Sequence, residues 1–205
     1  MRDLVLSRRQ LLKGAGAVGV LGAVGIPTTV LADGIRVRWD IISVDFTTGT
    51  LSPGGIASAK ANDGSKITLT GSGTFRTGAD GSTNGGGNWT TFNPAAEHTG
   101  SGTYRTTGFV SWVPAPGTPP LPHDNVGDRE DESAGLAVLR IRYSDDTGGL
   151  LTVSCHLNGT SDAVFEGITT TKGYLDYWNR EAPPAPPGNA NRTNFHVLTE
   201  DEDEG

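Results

Sequence analysis

Leu136-Ala137-Val138-Leu139-Arg140-Ile141-Arg142-Tyr143 leads through Ser144-Asp145-Asp146-Thr147-Gly148-Gly149 into Leu150-Leu151-Thr152-Val153-Ser154-Cys155, and this stretch decides the fold. The two outer runs are rich in Leu, Val and Ile, which favour strands. The link between them is polar and ends in two glycines, which supply the positive φ that a tight reversal needs. The stretch therefore predicts a β-hairpin.

The same composition extends to the rest of the chain. Further apolar and Thr-rich segments, bounded by turn residues, lie at 66–70, 73–76, 88–92, 102–113, 163–177 and 193–198. No segment shows the periodicity of an amphipathic helix, so no helical crossovers are expected. The sequence thus predicts an all-β domain, an antiparallel sandwich or closed barrel of about eight or nine strands.

The N-terminal part of this domain carries an unusual alternation. Apolar and charged residues alternate with period two from Ile35 to Ile41, and Ile42, Val44 and Phe46 then continue the alternation on the other parity. A change of parity within one strand is what a β-bulge produces. We therefore predict a bulge near Ile41 and Ile42.

Ahead of the domain, Ser7-Arg8-Arg9-Gln10-Leu11-Leu12-Lys13 precedes an uncharged apolar run over residues 14–26. Paired arginines before such a run resemble a twin-arginine export signal, with Arg8 and Arg9 as its defining pair. The resemblance implies transport of an already folded chain by the twin-arginine translocase. The destination would be the periplasm, the cell surface or the medium.

The end of this segment predicts processing. Pro27 interrupts the apolar run, and Val30-Leu31-Ala32 offers residues of small or modest size at the positions that a signal peptidase reads, so cleavage is expected after Ala32. The alternative is an uncleaved N-terminal anchor over residues 14–32. The chain then divides into a signal peptide (1–32), a single all-β domain (33–199) and an acidic tail (200–205) that we expect to be disordered.

Charge and cysteine content exclude several classes of function. The chain has a net charge of −7, and its predicted signal removes more basic than acidic residues, so the mature part is more acidic still. Such a domain repels nucleic acid, and contact with the membrane is expected only during export. Cys155 is the sole cysteine, which excludes intrachain disulfides, iron–sulfur clusters and cysteine–zinc sites. No cofactor is expected, with calcium as the alternative.

A calcium ion would bind in the polar segment that follows the proline-rich stretch 114–122. Ca²⁺ prefers six to eight oxygen ligands, and Asp124, Asp128, Glu130 and Asp131 could bring several carboxylates together. Their spacing matches no EF-hand, and a solvated loop is the alternative.

A ligand surface is predicted near the C-terminus of the domain. On a strand, Tyr174, Asp176 and Trp178 share one face, and Arg180 follows at the same spacing. Aromatic rings beside a carboxylate can stack on a sugar or another planar ligand. An ordinary core edge is the alternative interpretation.

These observations favour a non-catalytic exported module whose loops bind a small molecule, a glycan or an envelope partner. One alternative is an exported hydrolase, isomerase or cyclase with His123, Glu166, Asp176 and Arg180 in a barrel mouth or cleft. Another is a structural surface protein that assembles through strand edges. A deep pocket that gathers two or more of those four residues would favour the enzyme. A shallow surface at Tyr174 and Trp178 would favour binding.

Overall fold

The all-β class is confirmed by a computed structural model, which describes residues 34–78, 81–181 and 190–198. The elements are β1 (Arg36–Asp45), β2 (Thr50–Pro53), β3 (Ala57–Lys60), β4 (Lys66–Leu69), β5 (Ser72–Arg76), β6 (Thr83–Phe92), β7 (His98–Ala115), β8 (His123–Asp124), a 3₁₀ turn (Arg129–Asp131), β9 (Ala134–Tyr143), β10 (Gly148–Cys155), β11 (Gly167–Lys172), β12 (Leu175–Tyr177), β13 (Asn179–Glu181) and β14 (Arg192–Leu198). The predicted signal, its cleavage site and the acidic tail lie outside the described residues. Across the described ranges, no helix has the length and apolar character needed to span a membrane.

The strands outnumber the predicted eight or nine because several have only two to four residues. They form one hydrogen-bonded sheet in the order β12-β11-β10-β9-β7-β6-β5-β1-β2-β8, with β14 added to β1 and with β4, β3 and β13 branching from β6. The predicted hairpin is present as β9 and β10, antiparallel from Gly148 opposite Arg142 to Cys155 opposite Gly135.

The sheet is not closed into a barrel, since the pairing order of the described strands ends at β12 and β8. The sheet branches at β6. The first half of β6 pairs with β5 and its second half with β4. Gly87 lies between the halves, where an added Cβ would come within 1.9 Å of the Thr70 carbonyl oxygen. Glycine thus lets the two branches approach each other closely.

The segment 163–177 predicts a single strand, and this prediction is wrong. The chain reverses after β11 and returns as β12. Gly173 occupies the turn with φ +59°, a left-handed conformation that glycine adopts without strain. The turn lies within the segment 163–177, and the alternation of residues in that segment does not indicate where the chain reverses.

The main core lies on the odd-numbered face of β1. Val37, Trp39 and Ile41 are fully buried there and pack with residues of the other strands. These partners include Ile67, Leu69, Phe75, Leu139, Leu151, Val153, Ile168 and Phe195. The β9–β10 hairpin and β1 therefore contribute to one hydrophobic core.

The even-numbered face of β1 is buried as well. Ile42 and Val44 pack with Leu51, Val126 and Leu121 in a second, smaller cluster. The register of β1 against β14 runs without a shift from Arg36 opposite Leu198 to Ile42 opposite Arg192. The predicted bulge is therefore wrong: the apolar pattern changes parity because β1 is covered on both faces.

Candidate functional site

The even-numbered face of β1 and β14 carries buried polar residues. Strand alternation places Arg38 and Asp40 of β1 on the same face as Asn194 and His196 of β14, and the register sets Arg38 opposite His196 and Asp40 opposite Asn194. Asp40, Asn194 and His196 are each at most 1% exposed. Buried polar side chains at this density are unusual outside functional sites or tightly satisfied networks.

Asp124 ties the covering segment to this face. Its Oδ1 accepts the backbone N–H groups of Val126 at 2.6 Å and Gly127 at 3.2 Å, and its Oδ2 lies 2.8 Å from Nε2 of His196. Gly127 packs on the His196 ring so closely that an added Cβ would lie 2.8 Å from its Cδ2 atom. One carboxylate therefore fixes both the loop conformation and the orientation of a buried imidazole.

A second buried carboxylate, that of Asp40, lies on the same face. Asp40 accepts hydrogen bonds from Nε and Nη2 of Arg38 at 2.7 and 3.0 Å. Burial raises the pKa of Asp40 above its ordinary value, although the Arg38 guanidinium acts in the opposite direction. The positive charge of Arg38 thus compensates the negative charge of Asp40 on this face, and the remainder of the Arg38 side chain reaches solvent.

Glu132 is the least satisfied group of the site. An isolated bridge pairs its backbone with His196, and neither of its buried carboxyl oxygens makes a hydrogen bond of ordinary length and angle within the described residues, although a carboxyl oxygen lies within 4.8 Å of the Asp124 carboxylate. Burial and the neighbouring Asp124 carboxylate raise the pKa of Glu132 to about 8. The raised pKa favours the protonated form of Glu132 near neutral pH, with the Asp124 carboxylate as the acceptor beside it.

Glu132 lines a cavity of about 100 Å³, which we call the loop-covered pocket. Its apolar lining residues, which we call the apolar side, are Ile42, Val44, Phe46, Leu51, Pro120, Leu121 and Leu157. Its polar lining residues, which we call the polar side, are Glu132, His156, Glu166, Arg192, Thr193 and Asn194. An apolar lining with a few polar groups is the usual composition of a small-molecule site.

Glu166 holds two backbone segments at the polar side. Its Oε2 accepts the N–H of His156 at 2.6 Å and its Oε1 accepts the N–H of Thr193 at 2.7 Å. Burial raises the pKa of Glu166 to about 7, even though these two hydrogen bonds favour the carboxylate. Two carboxyl groups with raised pKa values thus share one pocket.

Two further donors on the polar side have no hydrogen-bond partner among the described residues, although their atoms are buried. They are Nε of Arg192 and Nδ2 of Asn194. The Arg192 guanidinium lies 5.3 Å from the centre of the Phe46 ring, which holds it at the edge of the pocket. The polar side therefore carries hydrogen-bond donors that no described residue uses.

Sequence reasoning identified only part of this site. Of the four residues expected in an enzyme cleft, Glu166 lines the pocket, whereas the side chains of His123, Asp176 and Arg180 are exposed elsewhere. Glu132, Arg192, Asn194 and His196 were missed. A signal was present in Arg192-Thr193-Asn194-Phe195-His196, where polar residues alternate around a core phenylalanine within a strand.

A cation could be held beside the pocket. Asp124, Glu132 and His196 each offer one ligand atom, and these atoms lie within 4.8 Å of one another. Two carboxylates and an imidazole suit a divalent transition metal better than calcium, which prefers oxygen ligands only. The structure does not place Asp128, Glu130 and Asp131 in this group, so the predicted calcium set is not brought together as one cluster in the described residues.

The predicted ligand surface is spread over two strands and a turn. Tyr174 lies in the turn and is 97% exposed, and Trp178 is 55% exposed. The indole Nε1 of Trp178 donates to Oδ2 of Asp176 at 2.8 Å, so these two side chains meet. Arg180 lies in β13 and is exposed.

Comparison with known proteins identifies the N-terminal segment as an export signal. Residues 5–25, which include Arg8 and Arg9, match the family model of the TAT (twin-arginine translocation) pathway signal sequence. The predicted signal is thus confirmed, and it directs the chain across the cytoplasmic membrane by way of the twin-arginine translocase and signal peptidase. No curated protein and no solved structure matches the chain.

Proposed function

We propose that this exported domain is a non-catalytic binding protein that holds a small molecule in the loop-covered pocket, in the periplasm, at the cell surface or in the medium. One observation carries the proposal: residues whose buried polar atoms have no hydrogen-bond partner among the described residues line a cavity together with a set of apolar side chains. An unsatisfied buried polar group costs about 1–3 kcal/mol, so several in one place are expected to be satisfied by a ligand.

The polar side indicates the chemistry of that ligand. The Nε of Arg192 and the Nδ2 of Asn194 are donors with no partner among the described residues. A carboxylate can accept from both, and the positive charge of Arg192 favours an anion. The apolar side, with Ile42 and Leu51, suits an aliphatic chain.

Size limits the ligand further. A cavity of about 100 Å³ has room for roughly three water molecules, or for the head group of a ligand whose remainder lies at the open side. We therefore propose a short aliphatic carboxylate. Asp124 does not oppose its binding, because this carboxylate is already matched by two backbone N–H groups and His196.

Isothermal titration of the exported protein with butyrate, with butanol and butylamine as analogues, tests this function. We expect butyrate to bind and both analogues to bind at least tenfold more weakly. Arg192→Met should weaken butyrate binding by about 10–100-fold, since a charge-assisted hydrogen bond contributes roughly 1.5–3 kcal/mol. The matched control is Arg142→Met on β9, which lies outside the pocket and should bind like the original protein.

Two results would contradict the proposal. The first is the absence of binding for the whole panel, and the second is equal butyrate affinity in the Arg192→Met and Arg142→Met proteins. Loss of binding in both variants would show a general charge effect rather than a site.

An enzyme remains the second candidate because Glu132 and Glu166 line the same pocket with pKa values of about 8 and about 7. Carboxyl groups with raised pKa values can exchange protons with a substrate near neutral pH. Turnover of short-chain esters and lactones tests this candidate. If it is correct, Glu166→Gln abolishes turnover, whereas a pure binding protein shows no turnover in either form.

A further inference from the structure

A second concave site lies away from the loop-covered pocket. It is a cleft of about 530 Å³, which we call the aromatic cleft. Its aromatic lining is Trp89, Phe92, Tyr174 and Tyr177, and its polar lining includes Asp63, Asn93, Asp145, Thr147 and Lys172. The two sites have no lining residue in common.

One wall of the aromatic cleft is fixed by Lys172. Its ammonium group pairs with Asp145, donates to Oγ1 of Thr147 at 3.0 Å and lies 4.4 Å from the centre of the Trp89 ring. This side chain is only 13% exposed. The wall is therefore preformed, and its positive charge is already neutralised.

The rim of the cleft presents an unusually exposed ring. Tyr174 is 97% exposed at the β11–β12 turn, next to Gly173. The large apolar face of this tyrosine has almost no protein cover, while the neighbouring Tyr177 is buried. An exposed aromatic ring beside a cleft is available for stacking on a ligand.

The carboxylate of Asp63 also lines the aromatic cleft. Asp63 accepts the backbone N–H and the hydroxyl of Ser65, and both hydrogen bonds fall on its Oδ1 atom. Its Oδ2 is the atom that a ligand hydroxyl would reach. The Tyr174 ring and the Asp63 carboxylate line the same cleft. Together they fit a molecule that has an apolar face and an edge with hydroxyl groups.

We infer that the aromatic cleft binds a neutral carbohydrate chain, with a sugar ring stacked on Tyr174 and hydroxyl groups donating to Asp63. Charge selects the neutral class: the chain has a net charge of −7, Asp63 lies in the cleft, and Lys172 is already paired with Asp145. Acidic polysaccharides and phosphate-bearing ligands would be repelled. This site is independent of the carboxylate proposed for the loop-covered pocket.

The experiment titrates the exported protein with cellotetraose, maltotetraose, chitotetraose and tetragalacturonate. We expect at least one neutral tetrasaccharide to bind and the acidic one not to bind. Tyr174→Ala should weaken that binding by roughly tenfold, because it removes the apolar ring face that a stacked sugar covers. Tyr174→Phe should retain it, because the ring face is unchanged. Folding is not expected to suffer, since Tyr174 is almost fully exposed.

Trp178→Ala is the matched control, since Trp178 is an exposed aromatic that does not line the aromatic cleft. It should bind like the original protein. Three results would overturn the inference: no neutral tetrasaccharide binds, tetragalacturonate binds as well as the neutral sugars, or Trp178→Ala loses binding while Tyr174→Ala does not. Butyrate titration of the same Tyr174→Ala protein keeps the two sites distinguishable.

Discussion

Replacing Asp124 by alanine is expected to lower the free energy of unfolding by about 3–5 kcal/mol, which is the cost of breaking a buried charged network. The side chain is 1% exposed and holds His196 together with the N–H groups of Val126 and Gly127. Alanine would leave all three donors without this acceptor inside the protein. Urea denaturation followed by tryptophan fluorescence measures the change.

The control for this prediction lies in the same loop. Asp128 precedes the 3₁₀ turn, is exposed and makes no capping hydrogen bond with its side chain, so Asp128→Ala should change the free energy of unfolding by less than about 0.5 kcal/mol. Asp124→Asn should fall between the two, because an amide oxygen still accepts the backbone N–H groups. Equal stability of Asp124→Ala and Asp128→Ala would show that the network does not stabilise the fold.

The stability of the protein is expected to fall as the pH rises from about 4.5 to about 8. Glu132 and Glu166 ionise near pH 4.5 in the unfolded chain but only near pH 8 and pH 7 in the folded one. Between these values the folded state binds more protons, so the free energy of unfolding decreases with pH. For Glu132 we expect a decrease of about 2 kcal/mol, reduced by partial solvent screening.

Glu132→Gln should remove its share of this decrease. The variant is expected to be more stable than the original protein at pH 8 by about 2 kcal/mol and nearly equal at pH 5, because glutamine has no proton to lose. Thermal unfolding between pH 5 and pH 9, with EDTA present to exclude metal binding, measures the effect. Glu130→Gln on the exposed side of the 3₁₀ turn is the control. Parallel pH profiles for Glu132→Gln and the original protein would rule out the predicted proton uptake.

Other carboxylates determine the loss of stability at acidic pH. Hydrogen bonds to Ser65 lower the pKa of Asp63, and the Lys172 and Thr147 hydrogen bonds outweigh burial to lower that of Asp145 to about 2. A carboxylate with a lowered pKa stabilises the fold above its unfolded pKa, and this contribution is lost as the pH falls through the folded value. The stability maximum is therefore expected near pH 4–5.

Several features could be predicted because their causes are local. The hairpin of β9 and β10 follows from two apolar runs and a link that ends in Gly148 and Gly149. Where prediction failed, the cause was not local. Ile42 and Val44 suggested a bulge only because the second layer over β1, formed by residues far along the chain, was invisible in the alternation.

The candidate site shows the same division more sharply. Asp124 and His196 are separated by 72 positions, and their contact depends on β14 pairing with β1 while the 121–132 segment covers the face of these strands that carries His196. Neither residue indicates the other in sequence. The loop sequence predicts Asp124 as a calcium ligand together with Asp128, Glu130 and Asp131, whereas in the structure it lies beside Glu132 and contacts His196 of a distant strand.

The sequence by itself determined that this is an all-β domain with a twin-arginine signal, since strand alternation, glycine-bearing turns and paired arginines ahead of an apolar run are readable within a few residues. Only the tertiary structure decided that β1 would be buried on both faces, that Glu132 would lie beside Asp124 and His196 and that Arg192 and Asn194 would line a pocket. The physical reason is that burial and pKa depend on what packs against a side chain, and here those neighbours are contributed by long-range strand pairing.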